Sequence, residues 1–205
     1  GPIYLKPLDL GADLVLYSIT KFIGGHSDLI AGSVSGSEEL IDNIRVYRTI
    51  FGTIPDPDTC WLIQRSLSTL KLRMEKQCIN AKKIVEFLSN SDKINEIYYP
   101  GLGDENQIKI FNDEYLNSGS IISFTIKGNK QDAFKVLNNF KVFKLAVSLG
   151  SIESLIQHPS SMTHSDISKD DQLKMGITDN LLRCSIGLED VEDLIEDLTN
   201  SLEII

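Results

Sequence analysis

Cysteine is scarce in this chain: Cys60, Cys78 and Cys184 are odd in number, widely spaced and outside any paired motif. That excludes a disulfide framework and reads as three reduced thiols, the usage of a cytoplasmic protein. His26, His158 and His164 do not join them at zinc-ligand spacing, so no metal site is expected. No apolar run approaches the roughly 20 residues of a membrane span, and no signal-peptide pattern opens the chain. Positive charge is also short, with 20 Lys and Arg against 29 Asp and Glu, for a formal net charge of -9. An acidic surface repels phosphate backbones, which argues against nucleic-acid partners; a small anion needs only a local cationic pocket. There is no internal repeat.

What is present suits one globular unit, or two lobes sharing an interface: 205 residues, 41% hydrophobic and 24% charged. The opening stretch Gly1-Pro2-Ile3-Tyr4-Leu5-Lys6-Pro7 enters a helix-to-strand unit without a capped start, as if the chain began in mid-fold. Residues 7–13 read as a short helix closed by Gly11 and leading to a strand over 14–17. A second buried strand is expected over 29–36 and an amphipathic helix over 38–47, acidic early and basic late. Asp56 followed by Pro57 makes a helix cap and first residue, and one long helix is predicted from there to about Leu88. Strands are then expected over 94–99, 121–126, 142–149 and 181–186, and helices over 104–115, 131–140, 169–175 and 189–202. Residues 150–166 read as a loop. Alternating strands and helices with separate faces predict an α/β or α+β second lobe.

The run Tyr17-Ser18-Ile19-Thr20-Lys21-Phe22-Ile23-Gly24-Gly25-His26-Ser27-Asp28 carries the chemistry. An apolar strand ends in two hydroxyls and a lysine, and a glycine pair follows that lets backbone approach a ligand. On a strand, Ser18 and Thr20 would face one side, a phosphate-holding arrangement. An amine that attacks a carbonyl must be neutral, which for an ordinary lysine costs roughly 4–5 kcal/mol at pH 7. Sites that use lysine this way lower that cost by desolvation or by a Schiff base. Arg183 is the second conspicuous residue, a guanidinium set in the apolar strand Leu182-Arg183-Cys184-Ser185-Ile186.

The lysine run resembles the cofactor-lysine signature of the Cys/Met-metabolism family of pyridoxal-phosphate enzymes. The resemblance continues through residues 67–74, 147–155, 158–164 and 182–190, in order along essentially the whole chain. It implies an α/β, fold-type-I architecture: residues 1–75 as the tail of a large cofactor-binding domain and 76–205 as a small C-terminal domain. It further implies a homotetramer of tight dimers and a small amino-acid substrate. By the same resemblance Lys21 forms the Schiff base with pyridoxal 5'-phosphate and shuttles protons, while Ser18 and Thr20 bind the cofactor phosphate. Arg183 clamps the substrate carboxylate, Ser148 lies beside it, and Thr163 sits near the ring or substrate. The implied activity is γ-elimination or γ-replacement on sulfur amino acids, as lyase or transferase.

Two departures accompany the resemblance. The family's pyridinium-binding aspartate, ring-stacking tyrosine, glycine-containing phosphate loop and neighbour-subunit Tyr/Arg pair have no counterpart here. Asp9 and Asp13 sit on the wrong side of the strand to supply that aspartate. The chain therefore reads as a C-terminal half with an exposed apolar face where the rest would pack. The second departure is Val147, which stands where cystathionine γ-lyases tend to be acidic and leans toward a methionine γ-lyase-like or sulfhydrylase-like pocket, since nothing there recognises a distal ammonium. Arg48-Thr49 departs from the lysine–aspartate pair of methionine γ-lyases and weakens that choice. The competing expectation is a non-catalytic, shortened homologue acting as a binding or assembly module.

Overall fold

A computed structural model describes residues 2–205. A single 3-10 turn at Pro7–Leu10, closed by Gly11 at φ 93°, leads into β1 (Leu14–Ser18). After the lysine turn come β2 (Gly32–Gly36), α1 (Glu38–Phe51), α2 (Pro57–Leu67) and α3 (Leu70–Ser89). The remainder alternates: β3 (Ile94–Tyr98), α4 (Glu105–Glu114), β4 (Ile121–Ile126), α5 (Lys130–Asn139), β5 (Lys144–Leu145), β6 (Leu155–Gln157), α6 (Lys169–Lys174), β7 (Leu181–Ser185) and α7 (Val191–Leu202).

Two sheets form. β1 and β2 make an antiparallel pair, and the second sheet has the order β3-β4-β7-β6-β5, antiparallel except for the β5–β6 pair. Alternation along the central strands decides which side each residue takes. Ile122, Phe124 and Ile126 of β4, Ile156 of β6 and Leu182 and Cys184 of β7 are fully buried with α3, α5 and α7. Those helices contribute Ile84 and Leu88, Val136, and Leu194 and Leu198, each buried side chain adding about 1.5–3 kcal/mol. The odd-numbered residues point to the opposite face, where the register sets Arg183 beside Ser123 on one neighbour and Gln157 on the other. A smaller cluster of Tyr4, Ile23, Leu70, Met74 and Cys78 ties the lysine turn to the start of α3.

Several sequence expectations are corrected. The long helix breaks at Ser68-Thr69, because the Ser66 carbonyl is drawn to the Thr69 N–H at 3.2 Å and the Thr69 hydroxyl at 3.3 Å. Short polar side chains there compete with the helical ladder. The strand expected over 142–149 shrinks to two residues on the sheet edge, and the loop expected over 150–166 contains β6. Three residues before His158-Pro159 are too few to show a period. β2 is shorter than expected and only half-buried, and no residue of α1 is buried. Leu16, Ile30, Phe51 and Trp61 are exposed on this first part of the chain.

The entry into β5 is held by one carboxylate. Asp197 of α7, itself buried, accepts from the main-chain N–H groups of Lys141 at 3.0 Å, Val142 at 2.8 Å and Phe143 at 3.0 Å. Asp197→Ala would leave those donors without an acceptor inside the protein. A loss of about 2–4 kcal/mol is expected, read as a lower urea midpoint with an unchanged slope.

Candidate active site

β1 ends at Ser18, and the chain then enters a wide turn, Ile19–Ile23. The turn is closed by Gly24 N–H to the Ile19 carbonyl and Gly25 N–H to the Lys21 carbonyl, both 2.7 Å. Lys21 stands inside it at φ -87°, ψ -122°, off helical geometry and half-buried. This corrects the reading of two hydroxyls along one strand. Only Ser18 is on β1, exposed to solvent; Thr20 belongs to the turn. The Thr20 hydroxyl accepts from Ala31 N–H at 3.0 Å and donates to the Ala31 carbonyl at 3.2 Å.

The loop after β5 reaches this turn through Gly150. At φ 79°, a side chain on Gly150 would place its Cβ 2.7 Å from the Phe22 nitrogen, so only glycine allows the approach. The approach brings Ser148 to the lysine: Lys21 Nζ donates to Ser148 Oγ at 3.1 Å. Arg183 meets the same loop from β7, its Nη2 donating to the carbonyls of Val147 at 3.2 Å and Ser148 at 3.3 Å. With the Gln157 amide oxygen turned toward Arg183, that oxygen accepts from Nε at 3.1 Å, Nη1 at 3.2 Å and Nη2 at 3.0 Å. The same end of the amide stands 3.3 Å from Thr163 Oγ1, which in turn is 2.8 Å from His164 Nδ1.

Lys21, Ser148, Arg183, Gln157 and Thr163 therefore form one run of contacts on the face away from the helices. Ser18 and Thr20 flank it through the backbone and share no hydrogen bond with it among the described residues. Asp9 and Asp13 are exposed, and Asp9 faces Lys6 at 4.0 Å. Gln157 was not singled out in the sequence. Its signal was a polar residue just before His158-Pro159, but its importance comes from the register that sets it beside Arg183.

Every acceptor around Arg183 is neutral. Burial pulls the guanidinium below its ordinary value, yet an arginine stays charged, and none of the described ion pairs includes it. No described carboxylate neutralises that positive charge. Gln157→Glu would set a carboxylate where the amide now sits and neutralise that charge. In the complete protein it is expected to raise KM for any carboxylate-bearing substrate roughly 10-fold or more, since a charge-assisted bond contributes about 1.5–3 kcal/mol. Steady-state kinetics on a Gln157→Glu variant checks this.

An amine, nearby hydroxyls and a guanidinium without a paired carboxylate thus meet on one face of an α/β frame, and the comparisons with known proteins place that frame among pyridoxal-phosphate-dependent enzymes. The chain matches the Cys/Met metabolism PLP-dependent enzyme family over residues 1–203 and belongs to it. It is 47% identical over 204 residues to the L-methionine gamma-lyase of Fusobacterium nucleatum subsp. polymorphum, covering 98% of this chain and 52% of that relative. It is 43% identical to the cystathionine gamma-lyase of Bacillus subtilis, covering 98% of this chain and 53% of that one. The crystal structure of cystathionine gamma synthase from Xanthomonas oryzae pv. oryzae in complex with cystathionine superposes with a TM-score of 0.94 at 38% identity. That match covers 99% of this chain and 53% of that one. The chain spans about half the length of the curated relatives it matches.

The family depends on pyridoxal 5'-phosphate, and the donor set fits that group. Lys21 offers an amine for its aldehyde, and the exposed Ser18 hydroxyl is bonded to no other described residue and can serve its phosphate. Thr20 can add a second hydroxyl by turning its O–H from Ala31.

Proposed function

We propose that this chain forms, within a longer protein, the part of a pyridoxal-phosphate site that holds the anchoring lysine and the carboxylate-binding arginine. The reaction is cleavage or exchange at the γ-carbon of a sulfur amino acid. The observation that carries this reading is the convergence of Lys21 and Arg183 on Ser148, one through its hydroxyl and the other through its carbonyl. The cofactor, when bound, supplies an electron sink that acidifies the substrate's α and β C–H bonds. Arg183 binds and orients the carboxylate through parallel N–H donors, and Gln157 keeps the guanidinium plane in place. Lys21, released from anchoring, moves protons at Cα and Cβ. Ser148 holds the amine toward the substrate, Ser18 and Thr20 hold the phosphate, and Thr163 lines the substrate side.

Val147 supports an uncharged thioether substrate, because it is an exposed branched residue beside Ser148 with no group to bind a distal ammonium. Elimination then consumes one water: the Cγ–S bond breaks, the thiol leaves with a proton, and the nitrogen departs as ammonia from a 2-oxo acid. Residues 1–75 would complete a large domain and 76–205 form a small one. The exposed Leu16, Ile30, Phe51 and Trp61 suit packing against the rest of the protein, or against other subunits of a cytoplasmic homotetramer. The test is to incubate the complete protein with pyridoxal 5'-phosphate and L-methionine or L-cystathionine. Thiol, 2-oxo acid and ammonia should appear in equal amounts and faster from L-methionine; faster turnover of L-cystathionine, which carries a distal ammonium, would overturn the reading of Val147. No turnover of any thioether or O-acylhomoserine, with no cofactor absorbance, would replace this reading with that of a binding or assembly module.

A further inference from the structure

One face of α3 carries Arg73, Gln77 and Asn80, spaced by four and three residues so that they lie in a row. All three are buried, at 4%, 0% and 0% exposure. Polar side chains in such a row on a helix packed into a core need an explanation, and each has one in a main-chain carbonyl elsewhere in the chain. Asn80 Nδ2 donates to Gly187 at 3.2 Å and Glu189 at 2.9 Å, just after the strand that carries Arg183. Gln77 Nε2 donates to Ser151 at 2.6 Å, three residues after Ser148. Arg73 donates to Phe22 at 2.8 Å through Nη1 and to Ile23 at 3.0 Å through Nη2, directly after Lys21.

Arg73 is the strongest of the three. Its other partners are the Ser66 carbonyl at 3.0 Å and the Thr69 hydroxyl at 3.1 Å, and none of the described ion pairs includes it. A buried cation without a carboxylate is a costly choice where an apolar side chain would pack, so its geometry must serve something. The carbonyls it takes are the loose end of the lysine turn. Ile19 and Lys21 carbonyls are used by Gly24 and Gly25, and Arg73 takes the next two, as a cation does at a helix C-terminus. The chain also makes room for it: at φ 73°, a Cβ on Gly25 would lie 2.0 Å from Arg73 Nη1.

We propose that Arg73 is a positioning residue for Lys21, fixing the direction of the lysine amine by clamping the backbone that follows it. The proposal rests on Lys21 being the cofactor-anchoring amine. Removing the clamp frees the turn and lets the amine drift from its working place, and misplacement of about 1 Å costs roughly 100-fold in rate. Arg73 shares no hydrogen bond with Arg183 among the described residues, so substrate binding is expected to change little.

The test compares Arg73→Lys with Leu88→Ala in the complete protein loaded with pyridoxal 5'-phosphate. Leu88 lies on the same helix, fully buried and far along from the lysine turn, so it reports a loss of stability alone. Borohydride reduction followed by peptide mass spectrometry counts the chains in which cofactor is fixed to Lys21, and kcat is expressed per fixed cofactor. Arg73→Lys is expected to lower kcat per site 10- to 100-fold, leave KM within about 2-fold, and slow fixation on Lys21. Leu88→Ala should lower the melting temperature and leave kcat per site unchanged. If Arg73→Lys does not accumulate, Arg73→Gln, which keeps a donor for the Phe22 carbonyl, is read by the same measurements. Unchanged kcat per site and fixation rate in the Arg73 variant, with normal fixation in the unsubstituted protein, overturns the positioning role alone. Failure of the unsubstituted protein to fix cofactor at Lys21 overturns the anchoring role, and the positioning role with it.

Discussion

Lys21→Ala in the complete protein is expected to abolish both the visible absorbance of bound cofactor and measurable turnover, a loss of roughly 10³-fold or more. The magnitude follows from two functions lost at once. A positioned proton-transfer group alone contributes about 10²–10⁴ in rate, and Lys21 is also the proposed anchor. Three powers of ten correspond to about 4 kcal/mol of barrier. The fold should tolerate the change, because the side chain is half-buried and its recorded hydrogen bond is to Ser148 Oγ. A stability change within about 1 kcal/mol is expected, so a melting curve separates lost chemistry from lost structure. Turnover retained by a folded Lys21→Ala protein would remove Lys21 from the reaction.

Arg183→Lys should act on the substrate side. A guanidinium presents parallel donors in a fixed plane, whereas an ammonium is a point charge on a flexible stem. Losing one charge-assisted bond of about 2 kcal/mol corresponds to a roughly 30-fold rise in KM for the amino acid. Turnover should fall less, through Ser148, whose carbonyl Arg183 holds and whose hydroxyl meets Lys21. A substrate analogue lacking the carboxylate provides the control. It should bind both proteins with equal, weak affinity, and an unchanged KM for the full substrate would assign Arg183 a structural role instead.

Much of the architecture was legible because its signals are local. Asp56 caps α2 through the Thr59 N–H at 3.0 Å, Gly11 closes the first turn at φ 93°, and β4 spans the residues its alternation outlines. Elements that depend on partners were less so. β6 has three residues and exists because β5 and β7 flank it, and α2 and α3 part where Ser66 is pulled toward Thr69 and Arg73. Ser18 and Thr20 read as sharing one side of a strand because their spacing fits a strand period, while the wide turn from Ile19 to Gly24 has no such local period. Arg73, Gln77 and Asn80 were given no role on the long helix, since a buried face cannot be told from a solvated one until its neighbours are known.

By itself the sequence determined where reactive groups lie along the chain: a lysine after a strand, and an arginine alternating out of an apolar one. Strand period and helix period suffice for that, being properties of consecutive residues. Only the tertiary structure decided which of them meet. Lys21 and Ser148 are 127 residues apart in sequence, and their contact depends on a loop that passes close because Gly150 has no side chain. Gln157 reaches Arg183 through strand register, and Arg73 reaches the lysine turn across 50 residues. Such meetings are set by packing between distant segments, which no local propensity encodes.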